Sequence, residues 1–374
     1  AVTLDETAAK DLLVKIQQRI GDQGYNGFCG RRRPAVVVGQ RVPNYTPQHA
    51  LIWVDASTRV GACTTMYALR RVGQGLLSLL VVSIAIWSLM AFTPGDPALR
   101  ILQARGILEP TAEQVELLRA ELGLDRPLIL RYLDWMTGLV RGDLGPSWAT
   151  GRPISDEFLS RLPATVLLTV VALLLALALT MVLGIPAALW ASRWPDTLSR
   201  GFALVALSLP SFLIGVVLVE VITLRLGLGR VLADGTIATV FLPALTLALG
   251  PAATWSRLLR TGLLETRNAP FLSVARGRGA SRNYLLTRHL LPHAAPPMLT
   301  VIGLSAAALL GGAPVVETVF TWPGVGLYVV KAIDTRDLPV VAATALFAVV
   351  VYLVTSLVTD LLLVRIDPSR KATT

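Results

Sequence analysis

The sequence has 374 residues, of which 53% are hydrophobic and only 16% are charged, and its mean hydropathy is +0.62. Those values exclude an ordinary soluble domain and indicate a membrane protein with several spans. The formal charge of +10 does not require a nucleic-acid partner, because arginine accumulates on the cytoplasmic loops of multi-pass membrane proteins.

Residues 1–65 form an N-terminal extension that differs in character from the rest of the chain. A capping box at residues 3–6 and the apolar stripe that follows predict an amphipathic helix over residues 4–20. The next stretch is rich in Gly, Pro and Arg, and its Cys29 and Cys63 lack the spacing of a metal or disulfide pair. We expect this extension to be cytoplasmic, and we favour a segment that transport does not need over an accessory domain.

Six apolar segments of about 20 residues predict six transmembrane helices in an all-α polytopic membrane protein. Fourteen Arg or Lys residues flank the predicted inner ends of these segments, and four lie in the two short outer loops. That bias places both termini in the cytoplasm. The six spans are residues 72–92, 163–191, 201–224, 240–261, 297–320 and 340–364.

The external segment, residues 93–162, is polar and has structure of its own. Thr111 and Gln114 make a capping box, apolar residues follow at helical spacing, and Gly123 lies at the end of the pattern. We expect a helical loop that covers the outer ends of the spans, receives a binding protein, or does both.

A second polar stretch, residues 262–293, is rich in arginine and separates two apolar segments. Residues 268–270 (Asn-Ala-Pro) predict a helix start, and Phe271, Val274 and Ala275 give that helix a small apolar face. Gly277 and Gly279 end it, Ser281 caps a second helix, and Pro292 indicates a break before the next span. The pattern predicts a helix-turn-helix that docks against a soluble partner.

The same stretch resembles the coupling loop of permease subunits in binding-protein-dependent ABC importers. That loop reads Glu-Ala-Ala, three residues, Gly, nine residues, Ile, any residue, Leu-Pro. Here Ser273-Val274-Ala275, Gly279 and Leu291-Pro292 follow at the same spacing, with Ser273 in place of the Glu and His289 in place of the Ile. The departures are features of the dipeptide, oligopeptide and nickel branch. We call residues 262–293 the coupling segment.

Further motifs of that family occur in order along the chain. They are Pro-Gly-Asp-Pro at 94–97, Glu-Leu-Gly-Leu-Asp-Arg-Pro at 121–127, Arg-Leu-Pro-Ala-Thr at 161–165, Ser-Leu-Pro-Ser-Phe at 208–212, Leu-Pro-Ala-Leu-Thr-Leu-Ala at 242–248 and Val-Glu-Thr-Val-Phe at 316–320. Together they place the transporter domain at residues 66–370, with a short tail at 371–374.

The resemblance implies a type I importer permease in the bacterial or archaeal inner membrane. It would form a pathway with a second permease, receive di- or oligopeptides from an extracytoplasmic binding protein, and contact two ATPase subunits. Those subunits, rather than this chain, would bind ATP and Mg. Nickel, metal chelates or glutathione-like compounds are the alternative cargo. The residues expected to couple the chain to the ATPases are Phe271, Ser273, Val274, Ala275, Gly279, Leu291 and Pro292.

The sequence lacks the motifs of a nucleotide-binding protein, a hydrolytic enzyme or a metal-binding protein. A phosphate-binding Gly-x-x-x-x-Gly-Lys-Ser/Thr loop and a nucleophile-base constellation are both missing, and His289 with His293 lack a third metal ligand, so we expect neither an enzyme nor a metal site. Gly311, Gly312 and Glu317 are candidates for gating the pathway.

Two rivals from other classes remain open at this stage. An ion-coupled carrier would depend on acidic residues in its spans, for which Glu220, Glu317 and Asp360 are the candidates. A more conservative placement puts Glu317 at the membrane interface. A membrane scaffold would bind partners without transport. Neither rival needs the spaced coupling motif.

Overall fold

A computed structural model describes residues 56–92, 96–104, 106–228, 230, 232–310 and 314–366. The predicted helix at residues 4–20, Gly311 and Gly312 lie outside the described residues. The chain divides into two compact units, Gln74–Leu363 and a smaller one made of Ala1–Gly73 with Val364–Thr374. The described part of the smaller unit is helical.

The described residues are helical, with short connections and one isolated bridge between Pro146 and Pro153. Two π-helical segments, Val219–Arg225 and Leu286–Leu290, interrupt the α-helices. The α-helices are α1 Ala56–Ala91, α2 Pro97–Ala104, α3 Ala112–Glu121, α4 Leu128–Val140, α5 Ile154–Leu189, α6 Trp194–Ser208, α7 Ser211–Leu218, α8 Phe241–Arg267, α9 Pro270–Gly277, α10 Arg282–Leu285, α11 Leu291–Leu310, α12 Pro314–Val319, α13 Val325–Asp334 and α14 Leu338–Ile366.

Several of these helices can cross a bilayer. Within the described ranges, four stretches are long and apolar enough by themselves: Arg70–Ala91, Ile154–Leu189, Arg282–Leu310 and Leu338–Leu363. The predicted third span is not one straight helix, because α6 and α7 with its π-helical extension meet at an angle of 104°. Pro210 lies at this break, where its missing N–H and fixed φ prevent α6 from continuing.

The predicted fourth span corresponds to α8, which is long but less apolar because it carries Arg257 and Arg260. This helix lies at the centre of the bundle and contacts α5, α6, α7 and α11. Ala244, Ala248 and Ala252 on α8 are fully buried, and such small side chains let neighbouring helices approach closely. The helix that is least suited to lipid is therefore the one with the most protein around it.

The predicted fifth span starts too late in the chain. Pro292 does not break the helix, since α11 runs through it from Leu291 to Leu310, and α12 covers residues 314–319. The π-helical turn before Pro292 explains the difference: the Leu291 N–H bonds the Leu286 carbonyl, and this wider turn accommodates the proline ring.

The external segment folds as expected where its signals are local. Thr111 caps α3 in the predicted capping box with Gln114, and Gly123 follows the helix with a φ of +62°.

The later part of the external segment is anchored by Asp337, which no local sequence signal indicates. Asp337 is buried and accepts hydrogen bonds from the Ser147 hydroxyl at 2.5 Å and from two backbone N–H groups, of Trp148 at 3.1 Å and Ala149 at 3.2 Å.

Candidate functional site

The coupling segment contains the short helix α9 at the place that its sequence predicts. The helix runs from Pro270 to Gly277, and Ser281 caps the next one by accepting from the Tyr284 N–H at 3.3 Å. One detail is corrected: Asn268 does not cap α9, because it ends the preceding helix α8.

The end of α9 is a fixed turn rather than a hinge. Gly279 has a φ of +80°, its N–H bonds the Arg276 carbonyl at 2.9 Å, and the Ala280 N–H bonds the Ala275 carbonyl at 3.1 Å. This pair of bonds is a Schellman cap, in which a left-handed residue satisfies the last carbonyls of a helix. Glycine is required there because a Cβ would be strained at positive φ, although space around it is open.

One side of α9 is anchored in the bundle and the other is exposed. Leu272 is fully buried in a cluster that includes Leu263 and Leu290. By contrast, the side chain of Phe271 is 39% exposed and that of Val274 is 56% exposed. Two exposed apolar side chains on a rigidly held helix form a small surface suited to an apolar groove in a partner.

The exposed ring of Phe271 is held in place by two histidines. It stacks on His293 with ring centroids 4.7 Å apart and lies 6.2 Å from His289. The His293 Nδ1 lies 2.7 Å from the His289 carbonyl oxygen, which fixes its ring. Among the described residues no group of three metal-ligating side chains occurs. The histidine pair therefore supports the aromatic ring of Phe271.

The other predicted coupling residues have supporting positions. Ser273 is exposed and donates to the Pro270 carbonyl at 2.6 Å within its own turn. Ala275 and Leu291 pack against the cluster that buries Leu272, whereas Pro292 is exposed. The predicted set thus contains an exposed apolar pair, Phe271 and Val274, and two residues, Ala275 and Leu291, that pack against the bundle.

A buried ion pair fixes α8 where it approaches the coupling segment. Asp196 at the start of α6 is fully buried, and the Arg260 guanidinium donates to its two oxygens at 2.6 and 2.9 Å. The Ser192 N–H also bonds Asp196 at 2.8 Å. In the sequence, Arg260 is one of the positive charges at the inner ends of the spans, and Asp196 belongs to no recognisable motif. Nothing in their spacing of 64 residues indicates that they pair.

The opposite end of the bundle contains a buried carboxylate. Glu317 is fully enclosed by protein. Its oxygens accept hydrogen bonds from the Thr165 hydroxyl at 3.1 Å and the Leu327 N–H at 2.8 Å. Thr165 in turn accepts from the Val325 N–H at 2.9 Å. We call Glu317, Thr165, Gly324, Gly326 and Leu327 the carboxylate cradle.

The cradle joins two motifs that are about 150 residues apart in the chain. Besides the Thr165 contact, the Trp322 indole N–H bonds the Ala164 carbonyl at 3.0 Å. A Cβ on Gly324 would lie 2.5 Å from the Glu317 oxygens, and one on Gly326 would lie 2.9 Å from the nearer oxygen. These hydrogen bonds make Glu317 a structural anchor between α5, α12 and α13.

Comparisons with known proteins identify the family of this chain. Residues 180–372 match the family described as binding-protein-dependent transport system inner membrane component, and residues 65–169 match its N-terminal counterpart. The chain belongs to this family. It is a multi-pass inner-membrane protein and a transmembrane permease of an ABC importer.

Particular relatives narrow the branch of the family. The chain is 35% identical over 303 residues to the glutathione transport system permease protein GsiC of Escherichia coli O6:H1, which covers 81% of this chain and 98% of that protein. GsiC of Salmonella typhimurium is 34% identical with the same coverage. A solved structure of the MetNI methionine ABC transporter in an inward-facing conformation is 15% identical, with a TM-score of 0.45, covering 56% of this chain and 96% of that one.

Proposed function

We propose that α9 is the element through which this permease is driven by ATPase subunits on the cytoplasmic side. The observation that carries the proposal is the contrast across α9, in which Leu272 is fully buried while Phe271 and Val274 are exposed. A force applied to the exposed pair reaches the bundle through Leu272, because α9 is capped at its end and cannot rotate independently.

The proposed assembly contains a second permease, two ATPase subunits that hold ATP and Mg, and an extracytoplasmic binding protein that delivers cargo. Both termini of this chain lie in the cytoplasm in this arrangement, as the arginine distribution predicts. ATP-driven closure of the ATPase subunits moves the two permeases between inward-open and outward-open states.

The proposed cargo is a short peptide, with glutathione as the first compound to test. The relatives are named for glutathione, which is itself a tripeptide, so the two cargo hypotheses share amide and carboxylate chemistry. Nickel and metal chelates remain the alternative. An ion-coupled carrier is less well supported, since Glu220 is an exposed partner of Arg225 at 3.1 Å.

The test is affinity purification of the full chain from detergent-solubilised membranes of its native host. Subunits with a Gly-x-x-x-x-Gly-Lys-Ser/Thr loop, identified by mass spectrometry, should accompany the wild type and Phe271→Leu but not Phe271→Asp. The leucine variant is the matched control, because it keeps an apolar side chain at the same position. Recovery of equal amounts with Phe271→Asp would contradict the docking role of α9.

Cargo is tested separately by uptake into cells that contain the whole transporter. Labelled glutathione uptake should be competed by unlabelled glutathione and by short peptides, and not by nickel salts. Competition by nickel alone would favour the metal branch and leave the docking role of α9 unchanged.

A further inference from the structure

Two adjoining cavities lie beside the coupling segment and are surrounded by arginine. One has a volume of about 330 Å³ and is lined by Arg193, Arg267 and Arg282 among others. The second has a volume of about 390 Å³ and shares Arg267 and Arg282 while adding Arg276. Both volumes fall within the range of roughly 300–1,000 Å³ that is usual for ligand pockets. We call these four residues and the space between them the arginine pocket.

The charge in the arginine pocket is not balanced by acidic side chains. No Asp or Glu lines either cavity, and none of the four arginines makes an ion pair within the described part of the chain. Two nearby arginines differ in this respect, since Arg200 and Arg260 both pair with Asp196. Three arginines line each cavity, and their like charges repel one another, so an anion between them would offset that repulsion.

The walls between the arginines are apolar. Leu189, Leu272, Leu285 and Leu290 line the second cavity. In the first cavity, the Arg282 guanidinium lies over the Trp190 ring at 5.4 Å from its centroid. An arginine stacked on an aromatic ring keeps its planar fork of N–H donors directed outward, which suits a phosphate group.

The position of the pocket at the end of a candidate membrane span indicates the kind of anion. Leu189 is the last residue of α5, one of the helices long and apolar enough to cross the membrane, and Trp190 follows it directly. Tryptophan at the end of a span is typical of the level of the lipid headgroups. We propose that the arginine pocket binds a phosphate group, and that an anionic phospholipid headgroup supplies it.

The pocket and the proposed docking surface lie on different sides of α9. At about 100° per residue, Arg276 is about 40° from Leu272 around the helix axis and about 140° from Phe271. A lipid headgroup at Arg276 therefore leaves Phe271 and Val274 uncovered. The inference does not rest on the docking role of α9, and either can fail without the other.

The experiment measures binding of phosphatidylglycerol to the purified full chain by native mass spectrometry and by thermal unfolding in detergent. Phosphatidylcholine is the neutral comparison, and inorganic phosphate tests the alternative source of the same group. We expect phosphatidylglycerol to bind and to raise the unfolding temperature, with phosphatidylcholine giving neither effect. If inorganic phosphate protects the chain and displaces the lipid, the pocket takes free phosphate as well, and the phosphate proposal stands.

Two double variants separate the pocket from the general charge of the segment. Arg267→Gln with Arg282→Gln should weaken phosphatidylglycerol binding roughly twenty-fivefold, at about fivefold for each arginine. Arg278→Gln with Arg288→Gln removes the same charge from the coupling segment outside the pocket and should weaken binding by a clearly smaller factor.

Several outcomes would overturn the inference. Equal weakening by both double variants would mean that only diffuse charge attracts the lipid. Wild type without preference for phosphatidylglycerol or phosphate would also refute the pocket. Loss of ATPase subunits with unchanged lipid binding would assign the arginines to a protein contact. If the first variant unfolds, Arg193→Gln with Arg276→Gln is measured in its place and should show the same selective loss.

Discussion

The coupling segment and the carboxylate cradle are two polar regions of the bundle, and they are built in opposite ways. In the coupling segment, neighbouring residues cap one another: Gly279 ends α9 and Ser281 starts the next helix. In the cradle, Glu317 is held by Thr165, which lies 152 residues earlier in the chain. One region exposes apolar side chains, and the other buries a carboxylate.

This difference assigns the two regions different roles. The exposed side chains of Phe271 and Val274 do not stabilise this chain by burial. Their apolar surface is therefore available to bind a partner. A buried carboxylate is tolerated only when its hydrogen bonds are satisfied, which makes the cradle a source of stability. Variants in the cradle should therefore act on unfolding, and variants on the exposed face of α9 should act on transport.

The largest effect on stability is expected for Glu317→Ala. Two buried donors, the Leu327 N–H and the Thr165 hydroxyl, lose their acceptor at roughly 1–3 kcal/mol each, so we expect a loss of about 3 kcal/mol. Thermal unfolding of the purified chain in detergent measures it. The control is Glu220→Ala, for which we expect a smaller loss because its ion pair with Arg225 leaves both side chains exposed and no enclosed donor loses its acceptor. Equal losses for both variants would remove the distinction between the two carboxylates.

A somewhat smaller loss is expected for Gly324→Ala. The added Cβ would lie 2.5 Å from the Glu317 and Thr165 oxygens, and overpacking of this kind costs about 1–3 kcal/mol. Gly250→Ala, in the interior of α8, is the matched control because nothing lies within 4 Å of its added Cβ. The control should be neutral or slightly stabilising, since alanine favours a helix over glycine. A Gly324→Ala protein as stable as the control would show that the cradle is not tightly packed.

In the coupling segment, Gly279→Ala should cost about 1 kcal/mol. The reason is the positive φ of +80° rather than a clash, because space around the position is open. Gly277→Ala, two residues earlier and within α9, should instead be neutral or stabilising by up to about 1 kcal/mol. If both variants had the same unfolding temperature, the Schellman cap would not determine the turn.

The smallest effect on stability is expected for Phe271→Asp, together with the largest effect on transport. Because its side chain is 39% exposed, the change in unfolding free energy should stay below about 1 kcal/mol. Uptake by the whole transporter should nevertheless be lost, while Phe271→Leu retains most of it. A Phe271→Asp protein with normal uptake would mean that the exposed face of α9 is not the site that receives the driving force.

Local signals in the sequence were sufficient for one class of feature. The Thr111 capping box, the extent of α9 and the Ser281 cap are all confirmed, because each depends on atoms within four residues of one another. The helical bundle itself followed from hydrophobicity, since residues that cross a bilayer must satisfy every backbone group within a helix. Family resemblance predicted the class of protein, and the comparisons confirmed it.

Tertiary structure alone decided the features that depend on distant residues. The sequence shows Glu317, Asp196 and Pro292, but not that the first is enclosed by protein, the second pairs with Arg260, or the third continues a helix. The buried state of a charged group depends on which helices pack around it, and that information is spread over the whole bundle. Sequence thus determined the helix ends that short-range caps fix, at Thr111, Gly279 and Ser281, whereas packing determined which polar groups are enclosed and which apolar ones are left exposed.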